Sequence, residues 1–152
     1  MLDQSHGRVM AICLSEKTGE QKRPVSKAKV LKSYGLEGDA HAGDWHRQVS
    51  LLAQESIDKI KRRGLAVSQG DFAENIITQG IELTGILPGA SVFIGDHVKL
   101  VVTQIGKECH DRCAIYEAAG DCVMPREGIF TRVESGGVIK PGDSVQVVDQ
   151  SD

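Results

Sequence analysis

Three of the four cysteines, Cys109, Cys113 and Cys122, lie within residues 109–122, and the fourth, Cys13, stands far from them. Lys107, His110 and Arg112 surround the first two. The thiolate, not the thiol, is the nucleophile and the soft-metal ligand, and neighbouring cations favour it. Asp111 is a good N-cap for a short helix running to Ala119 and ended by Gly120, which puts Cys113 in a first turn where backbone N–H groups favour an anion. Cys109 and Cys113 are therefore the candidate catalytic thiols. Their sulfur suits a molybdenum or sulfur-transfer centre better than a hard cation such as magnesium. The competing chemistry is a structural zinc site made from Cys109, His110, Cys113 and Cys122. Its three-residue gap between paired cysteines is looser than the commonest spacing, and no second pair follows.

A second set of residues offers an anion grip. Gly35-Leu36-Glu37-Gly38-Asp39-Ala40-His41-Ala42-Gly43-Asp44-Trp45-His46-Arg47-Gln48 contains three glycines that let the backbone bend and expose N–H groups. Gly38, Asp39, His41, His46 and Arg47 are its candidate ligand-binding residues. Read more plainly, it is a glycine-rich loop whose aspartates stabilise turns. In Gly70-Asp71-Phe72-Ala73-Glu74-Asn75-Ile76, Glu74 and Asn75 can bond the edge of a ring ligand, or equally satisfy stray backbone groups at a strand end. Lys107, Arg126 and Arg132 complete the cationic candidates, the two arginines being able to hold phosphate in bidentate fashion or to form a solvated, salt-bridged face.

The elements that must position these groups are mostly strands. Gly7 to Leu14 is a short apolar run that fits a buried strand, with Cys13 packed in it as a small hydrophobe. Ser15 to Pro24 reads as a loop, and Ala28, Val30 and Leu31 as a second strand. Val49, Leu51 and Leu52 form a strand that leads into a helix from Gln54 to Arg63, with Ile57 and Ile60 three apart, basic residues in its last turn and Gly64 as a left-handed cap. Residues 73–78, 91–94, 98–104, 129–133 and 144–148 fit half-buried strands. Leu87-Pro88-Gly89 and Lys140-Pro141-Gly142 each feed a strand, the corner device of a small closed barrel.

At 152 residues the chain suffices for one domain with its own core. A net charge of −3 gives no electrostatic reason to expect nucleic acid. No apolar run is long enough to span a bilayer and the polar start lacks a secretory pattern, so no membrane association and a cytoplasmic location are expected. Clustered thiols in such a setting point to reactive or metal-binding cysteines rather than disulfides.

Taken in order, these blocks resemble the MOSC domain family, named for the C-terminal domain of molybdenum cofactor sulfurase, and in particular its short bacterial stand-alone members. The marks are Gly-Leu-Glu-Gly-Asp at 35–39 with His46-Arg47-Gln48-Val49-Ser50, residues 70–76, Gly106-Lys107-Glu108-Cys109-His110, and Met124-Pro125-Arg126-Glu127-Gly128-Ile129-Phe130. The likeness runs from about Gly7 to Val148. It implies a mostly β, closed barrel similar to the pyruvate kinase barrel, with one or two short helices. It also implies a cleft that binds molybdenum cofactor (molybdopterin, or its tungsten form) or carries sulfur for it, with Cys109 as the metal or sulfur ligand and Cys113 close by. Expected partners are the molybdenum-pterin ligand and cofactor-synthesis or molybdoenzyme proteins; edge strands could also pair two copies into a homodimer. Two other functions stay open at this point: reduction of N-hydroxylated compounds with an external electron donor, and a zinc-stapled binding module.

Overall fold

A computed structural model describes residues 6–17, 22–62, 64, 74–81, 83, 86–105 and 128–148. Eleven strands and one helix are formed by these residues: β1 (His6–Leu14), β2 (Arg23–Val25), β3 (Ala28–Leu31), β4 (Gly35–Leu36), β5 (Val49–Ala53), α1 (Gln54–Lys61), β6 (Ile76–Gln79), β7 (Ser91–Ile94), β8 (Val98–Ile105), β9 (Ile129–Ser135), β10 (Gly137–Ile139) and β11 (Ser144–Val148). The main sheet runs β11-β7-β8-β9-β5-β6-β1-β2, and a further pairing of β11 with β1 closes seven of these strands into a barrel, with β2 paired outside the ring. Closure removes the unpaired edges that a short sheet would otherwise expose. A second sheet, β10-β3-β4, contributes Ala28, Val30, Leu36 and Ile139 to the same core.

Alternation of side chains sorts the apolar residues into two layers. Val9, Ile12, Leu51, Ile76, Leu100, Ile129, Val133 and Val145 fill the barrel interior. Ala11, Cys13, Leu52, Ile77 and Phe130 project outward from β1, β5, β6 and β9, where Ile57 and Ile60 of α1 cover them. Covering on both faces explains why every residue of β5 is buried. It also explains the parallel pairing of β5 with β6: parallel neighbours need a crossover, and α1 lies in it. The helix carries Glu55 in its first turn and Lys59 and Lys61 in its last, which complements the helix dipole.

Several expectations were met with small corrections. The helix ends at Lys61 rather than Arg63, and Gly64, at φ +90°, donates its N–H to the Lys61 carbonyl. Ser15 to Pro24 is not loop throughout, because Arg23–Val25 pairs with the end of β1; proline is tolerated there since β2 is an edge strand. Cys13 is fully buried, as a small hydrophobe should be. The two proline-glycine phrases form matching turns. Gly89 and Gly142 share φ +98°, and Ala90 and Asp143 donate back to the carbonyls of Leu87 and Lys140. That is the type II geometry, with proline and then glycine in the middle positions. Each glycine N–H also reaches a neighbouring strand, at Val102 and Val9. A helix over 111–119 lies outside the described residues.

Candidate functional site

Residues 35–47 run from β4 to the start of β5 and are held by one buried ion pair. Lys22 Nζ lies 2.7 Å from Asp39 Oδ1, and both side chains are fully buried. The same carboxylate accepts the backbone N–H groups of Ser15 and His41, each at 3.1 Å, while Ala40 N–H bonds the Ser15 carbonyl. Burial pushes the Asp39 carboxyl up, but the Lys22 ammonium, the Ser15 N–H and the Asn75 side chain more than reverse this and hold it below the usual carboxylate range. Asp39 therefore anchors the loop to the end of β1.

Asn75 ties three strands together. Its Oδ1 accepts the Ser50 N–H at 3.0 Å, its Nδ2 donates to the Cys13 carbonyl at 3.2 Å, and its own N–H reaches Ser50 Oγ at 3.0 Å. Its neighbour Glu74 is likewise fully buried. Because Asn75 also supports Asp39, the Gly-Leu-Glu-Gly-Asp block and the Glu74-Asn75 block meet in space. Gly38, at φ +85° with open space around it, lines a hollow of about 320 Å³ with Leu14, Ser15, Glu16, Arg23, Pro24 and Val25. None of those residues belongs to the cluster described next.

The second half of the loop builds a cationic, aromatic patch. Arg47 Nε donates to Gln104 Oε1 at 3.2 Å, and His46 Nε2 lies 3.0 Å from the same oxygen. The Arg47 guanidinium carbon stands 5.2 Å from the Phe130 ring centre and 5.9 Å from that of Trp45. Trp45 Nε1 donates to the His41 carbonyl at 2.7 Å, and the Thr103 hydroxyl bonds the His46 carbonyl. Among the described residues, the terminal amino groups of Arg47 have no acceptor, so a rigidly held fork of donors is presented. Such a fork matches a phosphate or carboxylate.

A bulge makes this contact possible. Val102 pairs with Thr131 and Gln104 with Phe130, so Thr103 is an extra residue in β8. Without it, Gln104 would fall out of step with Phe130; with it, both point to the outer face, where they receive Arg47. The next cross-strand pair is Ile105 with Ile129. The connection between them, which carries Lys107, Cys109, Cys113 and Arg126, thus departs and returns beside the Gln104–Phe130 pair. Those four residues, with His110, Arg112 and Cys122, lie outside the described residues. Arg132 is exposed on β9, two residues beyond Phe130 on the same outward face. Among the described residues, no group of three or more His, Cys, Asp or Glu is placed to hold a metal.

Three positioning residues escaped the sequence reading. Lys22 sits in a polar stretch with no pattern to mark it. Gln48 buries its side chain to accept the Val133 N–H at 2.8 Å, although it stood inside a recognised block. For Gln104 a signal existed: Thr103-Gln104 interrupts the alternation of β8 two residues before the strand ends.

The MOSC domain family matches residues 38–146, more than two thirds of the chain. Comparison with curated protein sequences finds no match. Among solved structures, YuaD from Bacillus subtilis superposes with a TM-score of 0.79 at 17% identity, covering 97% of this chain and 98% of that one. YiiM from Geobacillus stearothermophilus gives 0.68 at 18% identity over 95% of this chain and 76% of that one. YiiM from Escherichia coli gives 0.65 at 19% identity over 95% and 70%. At these identities the superpositions establish the fold, a closed β-barrel; together with the profile match over residues 38–146, they show that the chain belongs to the MOSC domain family.

Proposed function

We propose that this chain binds molybdenum cofactor, or carries sulfur for it, with Arg47 and His46 gripping the pterin phosphate and Cys109 supplying the thiolate. Membership of the MOSC family points to a role connected with that cofactor. The observation that carries the reading is the fixing of His46 and Arg47 on Gln104, one residue before the strand end from which the cysteine-bearing segment departs. Cys109 follows Ile105 by four residues, and four peptide units reach at most roughly 14 Å. The reading requires a single ligand to meet both the arginine fork and the thiolate.

The residues present fit the anionic end of such a ligand. A guanidinium whose Nε is already committed offers its two terminal amino groups in a plane, the arrangement suited to two phosphate oxygens. Arg132, on the same outward face, would add charge beside Arg47, and Lys107 and Arg126 are the further cations assigned to the ligand in this reading. The buried Asp39 and Asn75 act by holding the loop and strands in position. Molybdenum, when bound, would supply the redox chemistry; the chain's own part is to orient the ligand and to offer the Cys109 thiolate, with Cys113 four residues on, either as a metal ligand or as carrier of an outer sulfur taken from a donor persulfide and passed on with the thiolate regenerated. Transfer to a cofactor-synthesis protein or a molybdoenzyme is the partner step this role implies.

The test is expression with molybdenum cofactor available, followed by measurement of bound pterin and metal in wild type and Cys109→Ala. Pterin and molybdenum or tungsten in the wild type, with metal lost in the variant, supports the reading. Equal, near-zero loading in both rejects it, and stoichiometric zinc retained by the cysteines would replace it with a zinc-stapled module.

A further inference from the structure

Trp45 is the chain's single tryptophan, and 42% of it is exposed although its polar atom is already satisfied inside the protein. We propose that its indole is a stacking platform for the flat ring of a phosphate-bearing bicyclic heterocycle, and that it selects the ligand by shape while Arg47 holds the phosphate. This deepens the cofactor reading and rests on it.

The indole is held in place from three sides. Nε1 bonds the His41 carbonyl, so the N–H needs no water and the ring cannot swing freely. The His41 imidazole lies parallel to within 10° with centroids 6.4 Å apart, and His46 meets the ring edge at 5.7 Å. At 6.4 Å the two rings are not in full face-to-face contact, which agrees with the large exposed area. An aromatic ring ordered in advance binds a second flat ring without losing further rotamer freedom.

The Arg47 guanidinium, 5.9 Å from the indole centre, lies within reach of a charged substituent on any ring seated there. The same guanidinium carbon stands 5.2 Å from the Phe130 ring centre, so the charge adjoins both the platform and an aromatic neighbour on β9. Stacking reads the extent of a π-face rather than its hydrogen-bonding edge. The site should thus prefer bicyclic pterins or purines over single rings carrying the same phosphate.

Because Trp45 is alone, its fluorescence reports the platform directly. A monophosphorylated pterin added to the wild type should quench it, whereas inorganic phosphate should leave it nearly unchanged. Calorimetric titration of the same pterin phosphate then compares variants of verified fold. Trp45→Ala should weaken binding by about five- to a hundredfold, with Trp45→Phe recovering most of it. If Trp45→Ala binds as tightly as wild type while Arg47→Ala does not, the platform is refuted and the phosphate grip stands. If the wild type binds no pterin phosphate, both ideas fall together.

Discussion

The Nε of Arg47 lies 3.2 Å from the Oε1 of Gln104, a residue 57 positions away in the chain. An arginine nitrogen can only donate, so that oxygen is an acceptor, and His46 Nε2, 3.0 Å from the same atom, must carry its own proton. One amide oxygen thus orients two candidate ligand-binding side chains, and a bulge at Thr103 orients that amide.

Replacing Gln104 by leucine should leave the barrel folded and loosen both side chains. Affinity for a pterin phosphate should fall about tenfold, the loss of one charge-assisted bond, with the melting temperature moving only a few degrees. Titration calorimetry beside thermal denaturation separates the two effects.

Lys22→Met leaves the Asp39 carboxylate buried without its cation and should cost about 3–5 kcal/mol in urea denaturation. Adding Asp39→Leu should recover much of that loss, since no uncompensated charge then remains. A double variant as unstable as the single one would contradict the ion-pair account.

Acid should expose the same contact. The folded Asp39 carboxyl titrates below its ordinary value of 3.8, so its stabilising contribution is complete above that value and is lost as pH falls through the lowered one. Urea midpoints measured from pH 6 down to about 2.5 should drop more steeply for wild type than for Asp39→Asn. Parallel curves would remove Asp39 from the explanation of acid lability.

Two glycines of one loop should respond differently to alanine. At Gly35, φ +128°, a Cβ would lie 2.7 Å from the Gln48 carbonyl oxygen, and a cost of about 3 kcal/mol is expected. At Gly38, φ +85°, nothing stands within 4 Å, so only the backbone cost of about 1 kcal/mol remains. Thermal melts of both variants measure the difference directly.

What could be read from residues alone follows from the range of the physics involved. Strand positions were legible because alternation and proline-glycine turns are local, and β7, β8, β9 and β11 were found near their observed limits. The two-residue strand β4 and the three-residue β2 and β10 carry no period long enough to detect. The loop at 35–48 was recognised as a unit, yet its order depends on Lys22, Asn75 and Gln104, partners that only the fold brings near. Asp39 and Asn75 could be read as ligand groups or as structural ones, and both are engaged in hydrogen bonds that hold the framework. The roles of Cys109 and Cys113 rest on sequence and family resemblance, since they lie outside the described residues.

The most direct test of the central claim is pterin and metal stoichiometry in protein purified from molybdenum-replete cells, compared among wild type, Arg47→Ala, Cys109→Ala and the double variant. If one ligand spans the arginine fork and the thiolate, Arg47→Ala loses pterin and metal together, Cys109→Ala loses chiefly metal, and the double variant loads neither. Full pterin and metal in Arg47→Ala, at wild-type levels, would contradict the account.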